Sequence, residues 1–223
     1  MHFLPVLSFA AVALSQTFDW DCTNSRGPCE NACYATFNGL HNGVLTYDGN
    51  AANSGPRRDA AGCSQALSPC TTTGYANWGS SCDEYPFAST LEGGAGATLR
   101  CVDPSENNSQ GGSLSSFYQT IAAGTSFNIV VRGYDTSGYC ANNGGANDGS
   151  EFTLVNGNFQ NARKLRRHVE FADAQPRNPQ MLRHFENENG ETVALLNPNF
   201  NGTLVGTSVS DGLRSINIVK EIF

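Results

Sequence analysis

Short alternating apolar and polar runs, separated by stretches rich in Gly, Asn and Ser, set the rhythm of this chain. Gly43–Asp48 (GVLTYD), Ala97–Val102 (ATLRCV) and Phe127–Tyr134 (FNIVVRGY) read as strands, being β-branched or aromatic with period two and bounded by turn residues. Small and apolar residues at helical spacing after Gly55-Pro56 predict a short helix over Arg57–Leu67, and Ser113–Ala123 carries a helical pattern closed by Gly124. Ser68–Ser81 is a Thr/Gly/Ser-rich loop pinned by Cys70 and Cys82. Beyond the Gly/Asn-rich patch 141–149, strands are expected at Phe152–Val155, Thr192–Leu196, Leu204–Val209 and Ile216–Phe223. A basic amphipathic helix is expected over Asn161–Phe171. No internal repeat is visible.

The first 15 residues stand apart. They form an uncharged apolar run ending in Ala13-Leu14-Ser15, the small-x-small pattern of a cleaved signal peptide, although no Lys or Arg precedes the run. The run is shorter than the roughly 20 residues that span a bilayer, and no later segment comes closer, so no membrane anchor is expected. All eight cysteines (Cys22, Cys29, Cys33, Cys63, Cys70, Cys82, Cys101 and Cys140) follow it, an even number suited to four disulfides in an oxidising compartment. Their pairing stays open. No C-x-x-C pair occurs and His41, His168 and His184 are scattered, which argues against a zinc site. Asn107 and Asn201 head sequons and are candidate glycosylation sites.

Charge changes near the same patch. Residues 1–151 hold 5 Lys+Arg against 13 Asp+Glu, and residues 152–223 hold 8 against 7. The charge shift and the last cysteine place a domain boundary near residue 150. The total of −7 disfavours a protein that clamps polyanions by bulk electrostatics.

Candidate chemistry concentrates between Cys82 and Gly112. Asp83, Glu84, Glu92, Asp103 and Glu106, with Asn107, crowd a glycine-rich span, and close carboxylates repel unless protonated or holding a hard cation. Solvated loop acids are the alternative. The string Asp83-Glu84-Tyr85-Pro86-Phe87-Ala88, followed by Glu92-Gly93-Gly94 and by Glu106-Asn107 with Gly111, resembles the signature of the NucA/NucB-type deoxyribonucleases. The resemblance runs from about Val44 to Val131 and includes Tyr47-Asp48 and Arg57-Arg58 upstream.

The resemblance implies a secreted endonuclease that hydrolyses DNA phosphodiesters with a divalent cation, Mg²⁺ or Mn²⁺ first and Ca²⁺ second, and little sequence preference. It implies Asp83, Glu84 and Glu92 as catalytic residues and Asp83, Glu106 and Asn107 as metal ligands. Arg57, Arg58 and Gln110 would contact phosphate, with Gly111 and Gly112 letting backbone N–H groups approach. Pro86 would fix the backbone after the acids. Glu92 reads equally as a turn carboxylate, the two arginines as surface charge, and His41 as an incidental loop residue rather than a base. Arg57, Arg58, Arg100 and Arg132, helped by Arg163–His168, would have to build a local basic groove to offset the net acidity.

The expected fold is α+β. A disulfide-stapled nuclease domain over 16–150, with strands and helices around a carboxylate-lined site, is followed by a β-rich C-terminal extension over 151–223. DNA is the expected partner, and no protein partner is inferred. An inactive secreted binding or toxin-like module on the same fold is the alternative function. A glycosidase using paired carboxylates is weaker, because only Trp20 and Trp78 are present for sugar stacking.

Overall fold

The computed structural model describes residues 16–64, 68–163 and 180–223. Four α-helices, α1 (Arg26–Phe37), α2 (Ser54–Ala61), α3 (Pro69–Thr72) and α4 (Pro104–Tyr118), pack around two sheets. The larger sheet contains β1 (Gln16–Asp21), β2 (Val44–Thr46), β5 (Ser126–Arg132), β8 (Arg183–Asn187), β9 (Thr192–Leu195), β10 (Ser208–Ser210) and β11 (Ser215–Ile222). Its strand order is β1-β10-β11-β8-β9-β5-β2, and β1 also pairs in parallel with β5, so six of the seven strands close into a small barrel. The second sheet runs β3 (Ser81–Tyr85), β4 (Thr98–Val102), β6 (Glu151–Val155) and β7 (Asn158–Asn161).

Period-two alternation explains the three cores. On β5, Val130 points into the barrel with Phe185, Val193, Leu195, Val209 and Ile218. Its neighbours Ile129 and Val131 face outward and join Phe18, Trp20, Phe117 and Phe127 beneath the helices. A third cluster, Leu99, Cys101 and Phe152 with Ala61, Cys63 and Cys70, fills the far face of the second sheet. Disulfides join Cys22–Cys29, Cys33–Cys140, Cys63–Cys82 and Cys70–Cys101, using all eight cysteines as four staples. Cys70 and Cys82 do pin the intervening loop, each to a different partner. That segment also contains α3 and a 3-10 turn at Gly74–Asn77.

Several expectations need correction. The boundary near residue 150 separates no structural units: β6 pairs with β4, β9 with β5 and β10 with β1, so residues 151–223 complete both sheets rather than extend one domain. The helix expected over 57–67 runs from Ser54 to Ala61 and stops at Gly62, whose φ of 97° is a left-handed C-cap. The helix expected from Ser113 begins at Pro104 and ends at Tyr118, capped by the Asp103 side chain, which accepts from Ser105 N at 2.7 Å. The strand expected over 204–209 shrinks to Ser208–Ser210. The expected signal peptide lies outside the described residues. So does the expected helix over 161–171 beyond Arg163, while Asn161 itself ends β7. Among the described residues no helix is long and apolar enough to cross a membrane.

Candidate active site

The site is organised by β3, an edge strand paired only with β4. Successive side chains on a strand point to opposite faces, so the two adjacent acids diverge. Asp83 turns with Tyr85 toward α1 and α4, whereas Glu84 turns with Cys82 toward α2. The backbone then bends at a cis Tyr85–Pro86 peptide. Gly93 of the following turn lies so close to the Phe87 carbonyl that a Cβ would stand 2.2 Å from its oxygen.

Asp83 is buried. Asn31 Nδ2 donates to its Oδ2 at 2.7 Å, and Gln110 Nε2 donates to its Oδ1 at 3.1 Å. Burial pushes its carboxyl up to about 7; the two amide donors oppose this and Glu84 adds to it. Glu84 is also raised by burial, against the pull of Arg58, whose Nε donates to Glu84 Oε1 at 3.1 Å. Arg58 itself is 58% exposed.

Glu84 and Arg58 line a cleft of about 860 Å³ along the free edge of β3. Asn107, Gln110, Gly111, Leu114 and Tyr118 form the α4 wall, all within one stripe of the helix. Asn107 Nδ2 ties α4 to the edge of β3, donating to Ser81 Oγ at 2.8 Å and to the Cys82 carbonyl at 3.0 Å. Tyr47, Phe87, Ala88 and Ser89 also line the cleft.

The structure brings together Glu84, Arg58, Asn107, Gln110 and Gly111 on the cleft, with Asp83 buried behind Gln110, and leaves the remaining expected residues elsewhere. Glu92 accepts from Thr46 N at 2.8 Å and borders a separate cavity of about 240 Å³ with His41, Asn42, Pro86 and Gln180. His41 sits beside Tyr85, and burial holds its imidazole down at about 4. Glu106 turns away from the cleft and accepts from Gly27 N at 3.0 Å. Gly111 and Gly112 lie inside α4, where helix bonds occupy their N–H groups, so they form no phosphate-binding turn. The envisaged basic groove is not assembled: Arg57 pairs with Asp48, Arg100 with Glu151, and Arg132 with Asp19 and Asp21. Residues 164–168 of the basic cluster lie outside the described residues.

The ligand set Asp83, Glu106 and Asn107 does not converge, and among the described residues no group of three or more His, Cys, Asp or Glu side chains is placed to hold a metal ion. The cleft is lined by one carboxylate residue, Glu84, and by Asn107 and Gln110, whose side-chain amides each carry a hard oxygen. This donor set fits a cation such as Mg²⁺, which takes one or two carboxylates and completes its shell with water and phosphate. Sequence reasoning missed Asn31. A buried asparagine on a Cys-rich helix carries no pattern that marks it, and its role is visible only once α1 is laid across β3 and β4.

Residues 32–130 match the family model described as Deoxyribonuclease NucA/NucB. No curated protein and no solved structure matches the chain. The match begins one residue after Asn31. It includes α2, β3, β4, α4 and most of β5, hence every residue named above as lining the cleft.

Proposed function

We propose, from the premise that residues 32–130 carry the NucA/NucB deoxyribonuclease match, that this protein is a secreted, divalent-metal-dependent endonuclease. It hydrolyses DNA phosphodiester bonds with little sequence specificity in the cleft along β3. The observation that carries the reading is the Glu84–Arg58 pair, set at 3.1 Å on the wall of an open cleft within the matched segment. Arg58 offers an exposed guanidinium to a phosphate oxygen while its Nε stays on Glu84. Glu84, with the amide oxygens of Asn107 and Gln110, would hold the cation, which when bound supplies a Lewis acid and an acidified water. Asp83 acts from behind the wall. Held by Asn31, it receives the Gln110 amide N–H and so fixes that amide, leaving its oxygen for the cation. Asp83 is therefore a positioning residue in this reading, and Glu92 and Glu106 are structural carboxylates.

Secretion agrees with four disulfides and with the apolar run at 1–15. Of the two sequons, Asn201 is exposed and is the proposed glycan site. Asn107 has its Nδ2 hydrogen-bonded within the cleft wall, where a glycan would displace both bonds.

Plasmid cleavage by the purified protein with Mg²⁺ or Mn²⁺, with EDTA, and by Glu84→Gln and Asp83→Asn variants tests the reading. Cleavage abolished by EDTA and by Glu84→Gln supports it. A folded wild type that cuts under no metal overturns it in favour of an inactive binding module.

A further inference from the structure

The cleft has two chemically different ends. At one, Glu84, Arg58, Asn107 and Gln110 are polar and charged; at the other, Tyr47, Phe87, Leu114 and Tyr118 are aromatic or aliphatic. The α4 wall carries both, since Gln110 and Tyr118 lie eight residues apart, about 12 Å along the helix axis. That length suits a nucleoside placed beside a phosphate.

The aromatic end is built rather than incidental. Tyr47 and Tyr118 stack with ring centroids 4.0 Å apart and planes 9° from parallel. Tyr118 is fixed at its far end by a hydrogen bond shared with Ser89 Oγ at 2.8 Å and along its edge by Phe117 and Phe127. Tyr47 is fixed by backbone bonds, its N–H to Thr125 O and its carbonyl to Gly124 N, and by a β-bridge to Thr90. Both tyrosines line the cleft, and each is partly buried. The connection to the charged end is short. Ser89 follows Ala88, whose N–H bonds Glu84 and whose carbonyl accepts from Arg57 Nη1 at 3.2 Å.

Charge points the same way. Arg58, itself paired with Glu84, is the arginine that lines the cleft among the described residues, while Arg57, Arg100 and Arg132 are held by carboxylates elsewhere. A surface with so few phosphate contacts gains little from counterion release, so affinity must come from another source. Aromatic rings supply one, because stacking of a base on a side chain is worth roughly 1–3 kcal/mol and is tolerant of sequence.

We propose that the Tyr47–Tyr118 end of the cleft is a subsite for an unpaired nucleobase adjoining the scissile phosphate. A base inside a duplex is stacked on both faces and cannot reach these rings, so the subsite selects single-stranded or locally opened strands over intact duplex. The inference rests on the nuclease reading for the position of the phosphate. It adds the side chains that grip the flanking nucleotide and the strandedness they favour.

The test uses the full-length secreted protein and two substitutions, Tyr47→Leu, which keeps bulk without a π face, and Tyr47→Phe, which keeps the ring. In EDTA, where no cleavage is expected, a single-stranded oligonucleotide carrying 2-aminopurine is titrated with each protein. Fluorescence quenching by wild type and Tyr47→Phe, with binding about tenfold or more weaker for Tyr47→Leu, supports the subsite. With Mg²⁺ or Mn²⁺, kcat/KM on single strands should fall by a similar factor for Tyr47→Leu alone. It should be indifferent to that substitution when the bases flanking the cut are abasic. Equal quenching and equal kcat/KM for Tyr47→Leu and Tyr47→Phe would overturn the proposal, given unchanged near-ultraviolet circular dichroism. Quenching by a wild type that cleaves nothing under any metal would defeat the nuclease reading and leave the base subsite standing.

Discussion

The cleft along β3 and the small cavity beside β2 each contain an acid from the same 10-residue stretch of sequence, and the two acids end in different chemical situations. Glu84 stands on an open cleft of about 860 Å³ with a guanidinium partner and with Asn107 and Gln110 in the same lining. Glu92 borders a cavity of about 240 Å³ and spends its Oε2 on the Thr46 backbone N–H, fixing β2 to the Glu-Gly-Gly turn. Proximity along the chain did not make these carboxylates partners. A strand followed by a tight turn sent them to different sides of the same sheet edge, one toward substrate-sized space and one toward backbone.

The sharpest way to break this comparison is kinetic. Glu84→Gln should lower the rate of metal-supported DNA cleavage by about 10²- to 10⁴-fold, whereas Glu92→Gln, which keeps an acceptor for Thr46, should leave it unchanged. Equal losses in a plasmid-nicking assay would place Glu92 in the chemistry and dissolve the distinction.

The next effect is on stability against pH, where the two regions act with opposite sign. Burial raises Asp83 to about 7, so the native state binds more protons than the unfolded chain between about pH 4 and 7, and the stability due to Asp83 falls as pH rises through that window. Glu30, raised to about 6, adds to the fall. His41 is held down at about 4, so the native state binds fewer protons than the unfolded chain between about pH 4 and 6.5, and the stability due to His41 rises over that range. Each effect is on the order of a few kcal/mol at most. Thermal unfolding from pH 4.5 to 7.5 should show Asp83→Asn with a Tm that rises more with pH than wild type, and His41→Gln with one that falls more. Two variants that both parallel wild type would show that folding shifts the titration of neither group.

The smallest effect concerns the Glu92–Thr46 hydrogen bond alone. Glu92→Ala leaves the Thr46 N–H without its acceptor and should cost about 1 kcal/mol in urea unfolding at neutral pH. A cost indistinguishable from zero would mean that water replaces the carboxylate at this partly exposed position.

Much of the sheet was legible in the sequence. β2, β4, β5, β6, β9 and β11 follow runs whose apolar alternation survives into the structure as burial on one or both faces. β3 escaped notice because two of its three buried positions are Asp83 and Glu84, the residue types that hydropathy assigns to solvent. The first two turns of α4 escaped because Asn-Asn-Ser-Gln-Gly-Gly has low helix propensity, although Asp103-Pro104 carries a cap and a favoured first residue. α1 was hidden by Gly, Pro and Cys in its sequence and is held by Cys29 and Cys33, one turn apart on one face, through bonds to Cys22 and Cys140. The Asp83-Glu84 motif was readable, yet which acid meets the cleft was not, since that depends on the face each takes and on Asn31, 52 residues away.

Closure of the barrel has a consequence for how the chain reaches its native state. β1, the first described strand, is hydrogen-bonded between β5 and β10, and β10 is held in turn by β11 at the other end of the sequence. The Cys33–Cys140 bond likewise bridges a separation of 107 residues. Contacts of such long range form late and slow folding. As the chain emerges, Phe18 and Trp20 must therefore remain without the full set of neighbours that buries them until the last strands arrive. The matched segment 32–130, expressed alone, would lack β1 and β6–β11, leaving β4 with β3 alone, β5 with β2 alone and Cys33 without Cys140, making it an aggregation-prone fragment rather than a minimal enzyme.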